Sequence, residues 1–367
     1  MNTGFLSFII CLLFLISAQS VFASTDFDQQ KDEQKKEEPN TNKTAPEQQI
    51  RPYPFMPSIF QTMDMFQKAM ESMDNKIGYT RKEDSKVKVG GYIQTQFKVT
   101  AYTNEFNIKR ARGKIFGNVT EDISYKLMVD AFSERILKDA YIDFNIYPLL
   151  NFRFGQFKVP FGLEGVESST IILPINRSLV TTNLYQERDI GIEANGKSEN
   201  NKFAYAVAVI NGSGENTADR DNYKDVAARS GVYVFNLFTV GASGHWGRFY
   251  NSLLEDYQDK YRMGLDADYF NDYFKFTGEY IQGKNDTLNG KDNTEIGWYI
   301  LFSSKYLYPF EPLIRYEYWD EGDSNIKQTT LGLNYYFIAD TRLMLNYEMR
   351  NLLSGDNTFL AQVQIVF

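Results

Sequence analysis

The sequence predicts an all-β fold, a transmembrane antiparallel β-barrel of about sixteen strands. Three observations lead to this prediction. Residues 359–367 alternate apolar side chains with small or polar ones and end on Phe367, which is the pattern of a strand with unlike faces. The same period of two recurs along the chain, in segments of about ten residues, the length that a tilted membrane strand needs. The connections alternate between short turns and longer polar loops, as expected when one end of a barrel carries the loops.

The strands are expected within residues 87–367, the predicted outer-membrane barrel. Their predicted positions are near residues 87–99, 106–117, 123–132, 137–147, 150–159, 188–197, 202–211, 225–235, 238–249, 261–270, 273–284, 294–307, 310–320, 326–337, 341–352 and 359–367. Aromatic residues make up 16% of the chain, yet the mean hydropathy is negative. Both values suit a barrel, because only every second residue of a membrane strand meets lipid.

Residues 1–23 are predicted to be a secretory signal peptide. The apolar stretch from Phe5 to Ile16 is too short to span a bilayer, and small residues follow it before a Val21-Phe22-Ala23 cleavage site. An uncleaved anchor is the alternative. The single cysteine, Cys11, lies in this segment, so no disulfide and no thiolate metal site is expected in the mature chain.

Two further segments precede the barrel. Residues 24–57 are polar and then proline-rich, which predicts a disordered leader. Residues 58–78 carry apolar side chains at alternating spacings of four and three, namely Ile59, Met63, Phe66, Met70, Met73 and Ile77. This spacing predicts a short periplasmic amphipathic helix. The helix either forms a coiled coil that joins barrels or packs on the barrel mouth or the membrane surface.

Aromatic side chains cluster beside the short turns, which are expected on the periplasmic side. The clusters contain Tyr233, Phe235, Phe238, Tyr269, Phe270, Tyr273, Phe274, Tyr306, Tyr308, Phe310, Tyr335, Tyr336 and Phe337. We expect them to form an aromatic girdle at the membrane interface.

The inward face of such a barrel would carry many charged side chains. A barrel of about sixteen strands leaves an aqueous channel rather than a packed core, so these charges can stay solvated. The predicted function is passive diffusion of small hydrophilic solutes. The longest loop, residues 162–187, is expected to narrow the lumen. The candidate pore and constriction residues are Arg110, Arg112, Lys114, Arg153, Lys158, Glu164, Glu167, Arg177 and Arg188.

Four stretches, residues 107–112, 137–142, 153–161 and 187–191, resemble the phosphate-selective porin O and P family. The resemblance implies a trimeric channel of sixteen strands in the outer membrane of a Gram-negative bacterium, passing phosphate or polyphosphate along inward basic residues. Arg110 and Arg112 match the family's basic pair. The inward set is only modestly basic and the formal net charge is -8. The resemblance therefore supports an anion-preferring or general porin more strongly than a phosphate-specific one.

Other classes of function are weaker predictions. Ser243 and His245 share a strand face but have no evident third group, so no enzyme is predicted. A binding or adhesion protein without significant transport is the alternative function, with polar loops at residues 211–224, 251–260 and 282–293 as its contact surface. The aspartates in these loops, Asp219, Asp221, Asp286 and Asp292, lack the spacing of a calcium loop, so no metal and no cofactor is predicted.

The predicted partners follow from these inferences. They are small hydrophilic solutes or anions, outer-membrane lipid, two further copies of this chain in a homotrimer, and the barrel assembly machinery, which would recognise Phe367. The acidic net charge argues against nucleic acid, which would require a basic face.

Overall fold

The structure, a computed structural model, describes residues 87–367 apart from 199–201, 220, 235–237, 252–255, 285–293, 323, 339 and 352–356. The predicted signal peptide (1–23), leader (24–57) and helix (58–78) lie outside the described residues and stay predictions. No helix in the described part of the chain is both long and apolar enough to cross a bilayer.

Sixteen antiparallel strands close into one barrel, as the alternating pattern predicts. Each strand pairs with its neighbours along the chain, and the first strand pairs with the last. The strands are β1 Lys88–Val99, β2 Asn104–Asn118, β3 Ile123–Asp130, β4 Leu137–Tyr147, β5 Leu150–Lys158, β6 Arg188–Lys197, β7 Phe203–Ile210, β8 Asp225–Val234, β9 Phe238–Asn251, β10 Asp256–Phe270, β11 Phe274–Lys284, β12 Thr294–Ser304, β13 Phe310–Asp320, β14 Asn325–Ile338, β15 Thr341–Arg350 and β16 Asn357–Val366. Most bounds match the predicted ones closely, although β10 begins well before the predicted residue 261.

Eight residue pairs between β1 and β16, from Tyr92 and Val366 to Val99 and Phe359, close the barrel, and two further backbone hydrogen bonds extend this seam. The amide of Gly91 donates to the carbonyl of Phe367 at 2.8 Å, and the amide of Phe367 donates to the carbonyl of Gly91 at 3.0 Å. The seam leaves no strand of the sheet without a partner on either side. A closed sheet is the form in which β-strands can cross a membrane, because every backbone polar group is paired.

The two faces of the wall alternate as predicted. In β7, Val207 and Val209 are 42% and 49% exposed on the outside, whereas Ala208 and Ile210 between them are buried on the inside. Outward apolar side chains recur in the other strands and form the lipid-facing surface.

The predicted aromatic girdle is present at the turn end of the barrel, with two corrections. Phe274 stacks on Phe302 with 5.9 Å between ring centroids, and other outward rings pack in pairs nearby. Tyr233 instead lines the lumen. Tyr336 also points inward, because its hydroxyl donates to Glu311. Consecutive residues of a strand face opposite sides of the sheet, so a run of adjacent aromatics cannot lie entirely in lipid. Phe235 is outside the described residues.

The interior is also more densely packed than predicted. An apolar cluster within the barrel joins inward residues of several strands, including Ile210, Ile281 and Leu301, to residues of the long loop, including Val180 and Leu184. Charged side chains are buried beside it, with Arg315 fully buried. The expectation of an aqueous channel without a packed core is therefore wrong for the part of the lumen that the loop fills.

A glycine in β5 supports a test of the wall geometry. Gly155 has φ +128°, and a Cβ there would lie 2.1 Å from the carbonyl oxygen of Ala140. We expect Gly155→Ala to lower the free energy of unfolding by about 1–3 kcal/mol, measured by urea titration in lipid vesicles. Gly113→Ala is the matched control, because a Cβ at Gly113 meets nothing within 4 Å. Equal stability of the two variants would contradict the backbone clash.

Candidate functional site

The long loop between β5 and β6, residues 159–187, lies inside the barrel. It contains two short helices, α1 Leu163–Val166 and α2 Leu179–Leu184. Its residues bond to inward side chains of β9, β11, β13 to β16, β1 and β2. The loop thus lies against the inner wall that these strands make.

Wall side chains pair the backbone amides that begin the two helices. Leu163 N and Glu164 N donate to the two oxygens of Glu279, at 2.6 Å and 3.2 Å. Leu179 N donates to Glu317 at 2.7 Å. The first amides of a helix have no partner within the helix, so these buried carboxylates satisfy the donors that the loop brings into the lumen.

Other wall side chains pair the carbonyls of the loop. Arg315 donates to the carbonyls of Asn176 and Arg177, at 3.0 Å and 3.4 Å. Arg342 donates to the carbonyl of Thr170 at 3.0 Å, and Asn334 donates to that of Leu173 at 3.1 Å. These contacts hold the middle of the loop to the wall.

The two predicted acidic residues of the loop take part in this anchoring. Glu164 is buried and accepts hydrogen bonds from Ser178 Oγ at 2.7 Å and from Arg315 at 3.2 Å. Glu167 lies 3.8 Å from the ammonium of Lys275, and burial raises the pKa of its carboxyl. Both side chains bind protein groups, so neither presents a free carboxylate to a passing solute.

Two cavities of about 540 Å³ each lie on either side of the loop. The inner cavity opens toward the short turns, and its lining includes Arg112, Lys126, Tyr141, Arg153, Lys158, Ser168 and Arg188. The outer cavity lies at the opposite end, and its lining includes Lys98, Glu105, Lys109, Asn176, Glu348 and Arg350. Residues of the loop line both cavities, Leu163 and Ser168 the inner one and Asn176 the outer one.

Three of the predicted pore cations form ion pairs with carboxylates. Arg112 Nε lies 2.8 Å from Asp130. Arg153 Nε lies 2.7 Å from Asp143, and its Nη1 lies 3.3 Å from Glu193. Arg188 Nε lies 2.8 Å from Asp139, which also pairs with Lys126 at 2.6 Å.

Glu187, where the loop meets β6, bridges two of these arginines. Its carboxylate pairs with Arg188 and lies 3.8 Å from Arg112. Burial opposes ionisation of this carboxyl, but the two guanidinium groups outweigh burial and hold its pKa well below the ordinary value. Glu187 therefore stays charged and neutralises part of the arginine charge around it.

Four cations around the loop bond only neutral oxygen atoms, and we call them the uncompensated cations. Arg110 donates to Gln94 Oε1 at 2.8 Å. Lys158 donates to the carbonyls of Gly165 and Glu167. The other two are Arg177, which donates to the carbonyl of Glu167, and Lys109, which donates to the carbonyl of Ile175 and to Asn176. Among the described residues, no carboxylate oxygen lies within 4.0 Å of any of the four. Lys114, the last predicted residue, sits over the ring of Phe116 near the turns.

Lys109 was not predicted, because a bulge changes the alternation in β2. The register pairs Gln94 with Arg110 and Thr95 with Ile108, so Lys109 is the extra residue between them. A bulge lets neighbouring side chains point to the same side of a sheet, and Lys109 and Arg110 both reach the interior. No sequence signal marks this bulge.

The Ser243 and His245 pair is not assembled for catalysis. His245 Nε2 bonds to Asp225 and Nδ1 bonds to Arg262, each at 2.9 Å. Both ring nitrogens are occupied, so neither can accept a proton from Ser243, whose hydroxyl binds Gly162 N. Of the loop aspartates, Asp219 pairs with Lys224, and Asp286 and Asp292 lie outside the described residues. Within the described residues, no group of three or more His, Cys, Asp or Glu side chains is placed to hold a metal ion.

The fold resembles that of solved outer-membrane channels. An in-vitro folded OmpT of Vibrio cholerae in a trimer form is 13% identical with a TM-score of 0.59, covering 78% of this chain and 100% of that one. The outer membrane channel DcaP of Acinetobacter baumannii is 15% identical with a TM-score of 0.59, covering 79% and 99%. An anion-selective porin from Comamonas acidovorans is 14% identical with a TM-score of 0.56, covering 77% and 100%. At these identities the likeness shows the fold.

A family model settles the relationship that the sequence suggests. No curated protein matches the sequence. The model described as phosphate-selective porin O and P matches residues 87–300, which is more than half of the chain. This chain belongs to the phosphate-selective porin O and P family, and it is an integral outer-membrane porin through which small solutes diffuse.

Proposed function

We propose that this porin prefers anions and that inorganic phosphate is among the anions it passes. The observation that carries the proposal is the group of uncompensated cations around the loop. Neutral oxygens hold these cations in place without cancelling their charge. The field at the constriction is therefore positive, and a narrow passage strengthens it because less water screens the charges.

The positions of these cations suit a path through the constriction. Lys109 lines the outer cavity and Lys158 lines the inner cavity. Arg110 lies at the loop itself, since its partner Gln94 also donates to the carbonyl of Ser169. An anion would meet a positive group on each side of the narrow part.

The paired arginines have a different role in this proposal. Arg112, Arg153 and Arg188 each share their charge with at least one carboxylate, so the wall of the inner cavity is close to balanced in charge. Binding a dehydrated phosphate requires several cations with free donors aimed at it. The arrangement therefore favours a general anion preference over tight phosphate binding.

The comparisons support the proposal at a coarser level. The family is described as phosphate-selective, and one protein of similar fold is described as anion-selective. Another is described in a trimer form, and we extend this to propose a homotrimer embedded in outer-membrane lipid. Phe367, whose backbone makes the last two hydrogen bonds of the seam, is the residue we propose for recognition by the barrel assembly machinery. Since His245 and Ser243 are engaged elsewhere, we propose no enzymatic activity.

The first prediction concerns Arg110. Reversing its charge with Arg110→Glu should shift the reversal potential of the purified porin toward cation preference, measured in a planar bilayer under a KCl gradient. Lys158→Glu should shift it in the same direction. Arg248→Glu is the control, because Arg248 is exposed and pairs with Asp259. Wild-type reversal potentials in both lumen variants, or cation preference in the wild type, would contradict the filter assignment.

The second prediction compares how much stability is lost when a paired cation and an uncompensated cation are replaced. Arg112→Gln leaves Asp130 buried without its partner, which typically costs about 3–5 kcal/mol of stability. Arg110→Gln removes one hydrogen bond between partly buried groups, which costs about 1 kcal/mol. Urea unfolding in lipid vesicles measures both changes. If Arg110→Gln proves the more damaging of the two, the division of roles is reversed.

A further inference from the structure

Glu279 of β11 differs from the other carboxylates that anchor the loop. Its side chain is 3% exposed, and its two oxygens accept from Leu163 N and Glu164 N. Glu164 and Glu317 each contact Arg315. In the described part of the chain, by contrast, no lysine or arginine nitrogen lies within 4.0 Å of the Glu279 carboxylate. Within the described residues, its carboxylate accepts hydrogen bonds only from these two loop amides.

One cation on a nearby strand, Arg229, is close enough to act on Glu279 electrostatically, but it is bound to another carboxylate. Asp266 of β10 and Tyr299 of β12 are its cross-strand neighbours, and Arg229 of β8 is bound to Asp266 in a bidentate pair. On the loop, Glu164 is the nearest carboxylate, and from β9 the facing residue is Ser243, which binds Gly162 N at 3.1 Å. A proton on Glu279 would therefore break no ion pair.

Glu279 accepts two of the three wall hydrogen bonds that hold the backbone amides at the start of α1. Three consecutive amides, those of Gly162, Leu163 and Glu164, bond to the wall, and two of the three depend on Glu279. Gly162 has φ +68°, and a Cβ there would lie 2.8 Å from Glu279 Oε1. The chain is held close against β11 at this point.

We propose that Glu279 is a positioning residue for the channel: its ionised carboxylate holds the first turn of the loop against β11, and its protonation releases that turn into the inner cavity. Protonation converts one of the two acceptor oxygens into a hydroxyl, so Leu163 N or Glu164 N loses a charge-assisted hydrogen bond. The wall lies behind the turn, and Leu163 and Val166 already line the inner cavity. A released turn can therefore move only into the solute path.

The expected result is a channel that conducts less when acidified. We expect single-channel conductance in a planar bilayer to fall by about twofold or more between about pH 8 and about pH 3, a range that spans the ordinary titration of a glutamate. Glu279→Gln replaces one acceptor oxygen with a donor. It should give the low conductance at every pH. Glu279→Asp keeps the charge but is shorter, so it should conduct at an intermediate level and still respond to pH.

The matched control is Glu311→Gln. Glu311 is a buried inward glutamate that bonds Ser303 and Tyr336 and not the loop, so its variant should keep the wild-type pH profile. Heat-modifiable migration on a denaturing gel verifies that each variant is folded. Equal wild-type conductance at both pH values, or a wild-type profile in Glu279→Gln, would overturn the proposal. The reversal potential measures anion preference separately. The proposed anion preference can therefore be wrong while the pH dependence of the conductance still supports the role of Glu279.

Discussion

The interior of this barrel depends on the pairing of loop backbone groups by side chains of the wall. Residues 159–187 contain only two short helices, so most of their amides and carbonyls have no partner within the loop. An unpaired backbone group buried away from water is costly. Arg315, Arg342, Glu279 and Glu317 supply the partners, and this requirement places charged residues deep in the wall where they are inaccessible to solutes.

This constraint divides the lumen charges into two sets. One set satisfies the loop or pairs with carboxylates, as Arg315 and Arg153 do. The other set, the uncompensated cations, contacts only neutral oxygens, and no carboxylate within 4.0 Å in the described residues offsets its charge. Residue type alone does not distinguish them, because both sets contain inward basic residues. The partners of each basic residue decide its role: a paired charge stabilises the loop and the wall, whereas an unpaired one can attract an anion.

The strands could be predicted from the sequence because membrane strands impose a local rule. Each residue faces either lipid or the interior, and the period of two records this directly. The inward position of Lys109 could not be predicted, because a bulge in β2 interrupts the period of two and no residue type in the sequence marks that bulge. The contacts that hold the loop to the wall could not be predicted for another reason. Arg315 and Glu164 are 151 positions apart in the sequence, and no local pattern encodes such a contact. The apolar cluster under the loop was missed because inward residues were expected to face water.

The seam between β1 and β16 has a consequence for biogenesis. Before these two strands pair, the sheet is open and has two unpaired edges, one on β1 and one on β16. Bare edges recruit strands from other chains and promote aggregation. A copy of this polypeptide in which β1 and β16 have not yet paired is therefore prone to aggregate.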